Sequence, residues 1–170
     1  ELELRVLEWL RDLVGLPRPF FGTITDTAST STLYALAVAR HTKLAGSTDD
    51  GLAGGPVARV YTSQEAHSSV EKAVLTLGFG RSGVARIPTD DAYRMRPEAL
   101  SQAIAQDRAN GVVPIAIVAT TGTTSTTSVD PVARIAEIAE REDLWLHVDA
   151  AYGGCAAILP EKAQLFAGWE

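Results

Sequence analysis

Cysteine is almost absent from this sequence, because Cys155 is its only thiol and cannot form an internal disulfide. A chain without a disulfide framework is typical of a reducing compartment, so the sequence favours a cytoplasmic location. No pair of cysteine or histidine residues has the spacing of metal ligands, and no metal site is predicted. The chain must therefore fold around an apolar core, for which 170 residues with 46% hydrophobic residues suffice.

Long hydrophobic runs and clusters of basic residues are missing as well. No stretch of about 18 apolar residues exists, so no membrane-spanning helix is predicted. The first residues lack the basic and apolar segments of a signal peptide. The net charge is −6 without any run of Lys or Arg, which argues against nucleic acid or an anionic membrane as a partner.

Segments with strand and helix patterns alternate along the whole chain. Apolar or β-branched runs predict strands at 57–62, 84–87, 112–119 and 144–148. Apolar residues at helical spacing predict helices at 2–13, 28–40, 70–77, 97–104 and 132–139. Asp130 and Pro131 are predicted to begin the last helix, as its N-cap and first-turn proline. This alternation predicts one α/β domain with a mainly parallel sheet flanked by helices.

Three of the predicted strands end in residues that could carry chemistry. The polar stretch Thr120–Ser128 follows one strand, His67 follows another, and Asp149 comes directly after the last. In open α/β sheets, ligands bind beyond the carboxyl ends of the strands, so we expect these groups to form one site. The predicted helix start at Ala28 and Ser29 adds backbone N–H groups and a helix dipole that suit a phosphate.

Each of these features also has an ordinary structural explanation. Asp149 can cap the next turn, His67 can be a surface residue, and a hydroxyl-rich stretch can be a polar loop. Cys155 is expected to be a small buried hydrophobic residue rather than a nucleophile. The glycines of 78–83 (GFGRSG) do not open a strand-to-helix phosphate turn, which disfavours a dinucleotide-binding dehydrogenase. Taken singly, these residues do not decide between a functional role and a purely structural one.

Four segments in order carry a more distinctive pattern. They are TASTSTLYALAVAR at 27–40, QEAHSSVEK at 64–72, TTGTT at 120–124 and HVDAAYGG at 147–154. Together they resemble the group II decarboxylases that use pyridoxal 5′-phosphate (PLP), most of all the aromatic L-amino-acid decarboxylases. Residues 1–10 also resemble that family's opening helix, so the resemblance covers nearly the whole chain. It implies that 1–170 is a partial large domain of the fold-type I PLP-dependent transferases.

The resemblance also implies roles for individual residues. The seven residues that would bind cofactor or substrate are Ala28 and Ser29 at the phosphate, His67 and Ala151 on the two ring faces, Asp149 at the pyridine nitrogen, Thr124 near the phenolic oxygen or imine, and His147 on the substrate side. A carboxylate beside the pyridine nitrogen keeps that nitrogen protonated. The protonated ring can then accept the electrons that remain when CO2 departs. His67 and Asp149 would therefore be the catalytic residues.

One family feature has no counterpart here. The family's Schiff-base lysine lies in an NPHKW-type motif downstream of the aspartate, and Lys43, Lys72 and Lys162 do not match that motif. We expect the chain to stop before that motif, and to lack the family's N-terminal arm, its small C-terminal domain and its mobile loop with a catalytic tyrosine. The full-length protein is expected to be a homodimer with active sites at the subunit interface.

Two functions from different classes remain open at this point. The parent protein would convert an aromatic L-amino acid such as DOPA, tryptophan or tyrosine to its amine and CO2. A glutamate decarboxylase or an aldehyde-forming enzyme would be a relative with the same fold and cofactor. Alternatively, the 170-residue chain is a non-catalytic fragment that binds PLP weakly at most, since it lacks the lysine that anchors the cofactor covalently.

Overall fold

The computed structural model describes residues 1–169. Helices and strands follow one another in the order α1 (Leu2–Leu13), α2 (Ala28–Lys43), β1 (Ala58–Ser63), α3 (Ser69–Thr76), β2 (Val84–Ile87), α4 (Pro97–Ala109), β3 (Val113–Thr120), α5 (Val132–Arg141) and β4 (Trp145–Asp149). Short 3₁₀ helices cover Arg81–Gly83, Gly154–Ile158 and Pro160–Phe166. The four strands begin and end within one residue of the predicted positions.

The strands form one parallel sheet in the order β2-β1-β3-β4. The predicted α/β class with a parallel sheet is therefore confirmed. The connection after β1 leads through α3 to one edge of the sheet, whereas the connection after β3 leads through α5 to the other. The two connections diverge between β1 and β3, and in open α/β sheets such a switch point is where ligands bind.

Helices cover both faces of this sheet. In β3, Ile117 and Ala119 pack in the core beneath α4 and α5, whereas Ala116 and Val118 pack in the core beneath α2 and α3. Successive side chains of a strand point to opposite faces, so a strand covered on both sides must be apolar throughout. This is why 112–119 is a continuous apolar run in the sequence. The doubly covered strand gives the residues at its carboxyl end a rigid support.

Helix α1 differs from the other α-helices because none of its residues is buried. It forms where the sequence predicts it and ends just before Gly15, whose φ of +78° is the left-handed conformation that glycine favours. Leu4 and Trp9 remain 65% and 57% exposed. Within residues 1–169, no helix combines the length and the apolar character needed to cross a bilayer.

The prediction that Asp130 caps α5 is wrong. Pro131 occupies the N-cap position, and no side chain caps the helix there. The Asp130 carboxylate is buried and accepts hydrogen bonds from the backbone N–H groups of Met95 (2.7 Å) and Thr120 (2.8 Å). Burial raises the pKa of this carboxyl above its ordinary value. Asp130 therefore ties the end of β3 to the segment before α4 instead of starting a helix.

Candidate functional site

The carboxyl ends of β1, β3 and β4 and the start of α2 enclose one cavity of about 280 Å³. Six of the seven residues singled out from the sequence line it: Ala28, Ser29, His67, Thr124, Asp149 and Ala151. His147 is not among the lining residues. The cavity is also lined by five residues to which the sequence assigned no individual role, although Thr120 and Gly122 belong to the polar stretch expected there: Thr27, Ser69, Thr120, Gly122 and Tyr152.

Asp149 ends strand β4 directly at the cavity. Its Cα is paired with that of Thr120 across the sheet, and its backbone oxygen accepts a hydrogen bond from Thr121 N–H at 2.8 Å. One carboxylate oxygen accepts a hydrogen bond from Ala151 N–H at 3.2 Å. Since an ionised carboxylate offers about four lone-pair positions, most of its accepting capacity remains for a ligand. The half-buried carboxylate is thus held in place and still able to bind a protonated nitrogen.

The turn after β3 is hydrogen-bonded to the turn after β4 and packs closely against it. Thr121 O accepts a hydrogen bond from Gly153 N–H at 3.1 Å. Gly122 has a φ of +88°, and a Cβ added there would lie 3.0 Å from both Gly153 N and Tyr152 Cδ1. Only a residue without a side chain fits this close approach in that conformation. Gly122 therefore allows the turn that carries Thr124 to lie close to the residues that follow Asp149.

Hydroxyl groups stabilise the turn after β3 from within. The Thr123 hydroxyl lies 2.6 Å from that of Thr126 and 3.0 Å from that of Ser128, and it accepts a hydrogen bond from Ser128 N–H at 3.1 Å. Thr123 is buried in these contacts, whereas the next residue, Thr124, is exposed at the cavity. Within this turn, Thr123 thus stabilises the backbone, whereas Thr124 faces the cavity.

His67 lies in the connection between β1 and α3 with its ring exposed. Its Nδ1 accepts a hydrogen bond from Ser69 N–H at 3.2 Å and lies 3.0 Å from the Ser69 hydroxyl. These contacts orient the imidazole, and in the neutral ring they leave Nε2 to carry the proton. Ser69 therefore contributes to the site by orienting the histidine. Sequence reasoning missed it because a serine at a helix start is common.

The start of α2 provides an anion-binding edge. Thr27 caps the helix, and its side-chain oxygen accepts a hydrogen bond from Thr30 N–H at 3.2 Å. The first N–H groups of a helix have no partner within it, and they lie at the positive end of the helix dipole. Ala28 and Ser29 are exposed at the cavity, and the first turn of α2 contains no acidic residue. This end of the cavity is suited to a phosphate group.

Comparisons with known proteins place the chain in a family. The sequence model of the pyridoxal-dependent decarboxylase conserved domain matches residues 1–170. The chain belongs to the pyridoxal-dependent decarboxylase family. It is 38% identical to histidine decarboxylase of Mus musculus and 41% identical to aromatic-L-amino-acid decarboxylase of Sus scrofa, in each case over 100% of this chain. It spans 27% and 37% of the length of those two relatives.

A solved structure agrees with the family assignment. The crystal structure of Oryza sativa TDC with PLP and tryptamine superposes on this chain with a TM-score of 0.91 and 37% sequence identity. The match covers 98% of this chain and 36% of the other. The sequence-based recognition of a group II PLP-dependent decarboxylase is confirmed, and PLP is the cofactor of the family. The fold is confirmed as part of a fold-type I domain.

The residues present fit this cofactor. A carboxylate, an imidazole and a helix start line one cavity, and these groups suit a protonated ring nitrogen, a flat ring and a phosphate respectively. Four buried hydroxyl oxygens at the carboxyl ends of β1 and β3 have no hydrogen-bond partner within residues 1–169: those of Thr62, Ser63, Thr120 and Thr121. Buried polar atoms are rarely left unpaired in a protein, so this edge of the sheet is unusually polar.

Two further groups lie outside the cavity. None of the chain's lysines lines it: Lys43 pairs with Asp143 at 2.5 Å, Lys72 is on α3 and Lys162 is in a 3₁₀ helix. The prediction that Cys155 is buried is wrong, because this residue is exposed. It lines a groove whose other walls are α1 and the segment that follows α1. In the described part of the chain, no group of three or more His, Cys, Asp or Glu side chains is placed to hold a metal ion.

Proposed function

We propose that the protein containing this chain is a PLP-dependent carboxy-lyase that decarboxylates an L-amino acid. The observation that carries the proposal is the convergence of Asp149, His67 and the start of α2 on one cavity. That cavity lies in a chain of the pyridoxal-dependent decarboxylase family. PLP, when bound, supplies a protonated ring that accepts the electron pair left at the α-carbon as CO2 departs.

In this proposal the start of α2 binds the phosphate. The exposed N–H groups of Ala28 and Ser29 donate to the phosphate oxygens, and the helix dipole favours the anion. Thr27 caps the helix and so keeps the first turn in the conformation that presents these N–H groups. An anchor of this kind holds one end of the cofactor without any lysine.

Asp149 holds a proton on the pyridine nitrogen. A carboxylate next to a titratable nitrogen favours its charged form, and a half-buried position strengthens the attraction. The hydrogen bond from Ala151 N–H fixes the carboxylate while leaving lone pairs for the ring. Asp149 is therefore the catalytic residue that keeps the ring able to accept electrons.

The remaining lining residues position the ring. His67, oriented by Ser69, would stack on one face of the ring, and the small side chain of Ala151 would pack against the other. Thr124 would contact the cofactor near its phenolic oxygen or imine, and His67 would be the second catalytic residue, near the bond that breaks. We retain His147 as a candidate on the substrate side only through the family resemblance, since it does not line the cavity.

We propose an aromatic L-amino acid as the substrate. The 41% identity to the pig aromatic-L-amino-acid decarboxylase supports this choice, and the 38% identity to the mouse histidine decarboxylase makes histidine the strongest competitor. The test is to incubate the full-length protein with DOPA, tryptophan, tyrosine, histidine and glutamate, and to measure amine and CO2. Turnover of histidine or glutamate alone would contradict the aromatic assignment. An aldehyde in place of the amine would indicate the aldehyde-forming reaction.

A second proposal concerns the 170-residue chain on its own. No lysine of the chain lines the cavity, so the chain alone binds PLP only through non-covalent contacts and does not turn over substrate. The test is to add PLP to the isolated chain, reduce it with borohydride and locate any adduct by mass spectrometry. We expect no stoichiometric adduct. An adduct at one lysine would contradict this proposal.

We further propose that the full-length protein is a cytoplasmic homodimer that acts on a small-molecule amino acid. The family resemblance supports the dimer, and the location rests on the near absence of cysteine. The apolar side chains that α1 exposes are consistent with a surface covered by further protein.

A further inference from the structure

His147 contacts α2 instead of the cavity. It lies on β4 two residues before Asp149, so the two side chains share one face of the strand. Its Nε2 is 3.5 Å from the hydroxyl oxygen of Thr32, which is the long limit of hydrogen bonding. Thr32 is one turn inside α2 and only 1% exposed. The contact therefore joins the strand that ends in Asp149 to the helix that begins at Ala28.

The Thr32 hydroxyl continues this connection to the first turn of α2. It donates a hydrogen bond to the backbone oxygen of Ala28 at 3.0 Å. A hydroxyl has a single proton, so towards His147 the Thr32 oxygen can only accept. The contact is then a hydrogen bond in the tautomer of the neutral imidazole that carries its proton on Nε2. The result is a chain of two hydrogen bonds from β4 to the residue that begins the helix.

The surroundings keep this imidazole neutral. Burial lowers the pKa of His147 below its ordinary value, and the negative charge of Asp149 offsets only part of that effect. A neutral His147 does not form an ion pair with Asp149. The charge of Asp149 consequently remains available to a protonated ligand in the cavity.

We propose that His147 and Thr32 are positioning residues, which set the spacing between the carboxylate of Asp149 and the backbone N–H groups at the start of α2. This inference rests on the proposed function. The pyridine nitrogen and the phosphate of PLP belong to one small ligand with few rotatable bonds. Both ends can be bound well only if the two protein elements stand at the matching distance.

The first test measures cofactor binding to the full-length apoprotein. Dissociation constants are determined for PLP and for pyridoxal, which lacks the phosphate, with Thr32→Val, Thr32→Ser, His147→Leu, His147→Gln and the double variant Thr32→Val/His147→Leu. Thr42→Val is the matched control, because Thr42 makes the same type of hydrogen bond to Val38 O on α2 but is exposed and has no contact with His147. Circular dichroism establishes that each variant is folded.

We expect Thr32→Val and His147→Leu each to weaken PLP binding roughly 3- to 10-fold, the effect of one hydrogen bond. The double variant is expected to be no weaker than the single ones, since both changes break the same link. Pyridoxal binding should change little, Thr32→Ser and His147→Gln should retain most of the affinity, and Thr42→Val should match wild type. Additive losses, or an equal loss with Thr42→Val, would overturn the proposal.

The second test detects the hydrogen bond between His147 and Thr32 directly in the wild-type apoprotein. Nitrogen-15 NMR of the His147 ring is expected to show the proton on Nε2, and Thr32→Val is expected to shift that resonance. A proton on Nδ1 would overturn the proposal whatever the variants do. If the wild-type protein binds no PLP, the proposed function fails, and the ring resonances still decide whether the His147–Thr32 link exists.

Discussion

Asp149 depends on very few partners. Among residues 1–169 a single N–H group, that of Ala151, donates to its carboxylate, and the strand pairing with Thr120 fixes its backbone. A residue held in this way can be changed to its amide without rebuilding the turn around it. The charge of the side chain can therefore be tested separately from its shape.

Asp149→Asn is expected to lower kcat for decarboxylation by roughly 100-fold or more, in line with the loss of a preorganised charge at a reacting centre. The neutral amide cannot hold the proton on the pyridine nitrogen. Steady-state kinetics of the full-length protein, with PLP in excess, measure the effect. The matched control is Asp143→Asn, because Asp143 is exposed and pairs with Lys43 outside the cavity. Equal activity of the two variants would contradict the role of Asp149.

Gly122 is the second position at which one residue determines the geometry. Gly122→Ala is expected to destabilise the protein by about 2–4 kcal/mol, because the positive φ and the contacts with Gly153 and Tyr152 both oppose a side chain. Gly111→Ala provides the control, since Gly111 has a φ of +74° but nothing within 4 Å of an added Cβ. Chemical denaturation should show a smaller loss in the free energy of unfolding for Gly111→Ala, of about 1 kcal/mol. Equal losses would mean that the close approach of the two turns contributes nothing.

At the scale of elements, the helix-strand alternation was readable from the sequence because each strand is an apolar run bounded by polar residues. The role of Asp130 was not readable, since Asp-Pro is also the local pattern of a helix start. Its partners, Met95 and Thr120, are 35 and 10 residues away in the chain. The contact between His147 and Thr32 spans 115 residues and involves common residue types, so no local pattern indicates it.

Asp130→Ala is expected to destabilise the protein by about 2–5 kcal/mol, because it leaves two backbone N–H groups of different elements without their acceptor. Thermal unfolding followed by circular dichroism measures the change. PLP affinity should fall as well, since Thr120 lines the cavity. A loss below about 0.5 kcal/mol, the size typical of surface substitutions, would contradict the structural role of Asp130.

The buried Asp130 also predicts a pH dependence. Its pKa in the folded protein is raised by burial, so the folded state binds this proton more tightly than the unfolded state does. The tighter proton binding stabilises the folded state fully at pH values below the pKa that Asp130 has in the unfolded chain, about 4. This stabilisation is lost as the pH rises through the pKa of Asp130 in the folded protein. Relative to Asp130→Asn, wild type should therefore lose stability as the pH rises across that range. The opposite slope would mean that the two hydrogen bonds outweigh burial.

At the scale of the whole molecule, the chain matches only part of the length of its relatives. It spans 27% of the mouse histidine decarboxylase and 37% of the pig aromatic-L-amino-acid decarboxylase. Six of the seven residues that the sequence singled out line one cavity, because parallel strands bring their carboxyl ends to the same edge. The exposure of α1 was not predicted, since an amphipathic pattern does not indicate whether another element packs against the helix. The exposure of Cys155 was not predicted either.

The full-length protein is expected to sediment as a homodimer at micromolar concentration. Helix α1 exposes several apolar side chains, Trp9 and Leu10 among them, and contiguous exposed apolar patches often mark protein–protein interfaces. Sedimentation velocity at several protein concentrations measures the state. A monomer at all concentrations would contradict the proposed dimer but leave the chemistry of the cavity untouched.

The most direct test of the central claim is the release of labelled CO2 from carboxyl-labelled aromatic L-amino acids by the full-length protein, with and without PLP. The structure places a carboxylate, an imidazole and the start of a helix around one cavity. We expect CO2 release that depends on PLP and on Asp149. Release that is unaffected when PLP is removed, or no release from any amino acid in the presence of PLP, would contradict the proposed function.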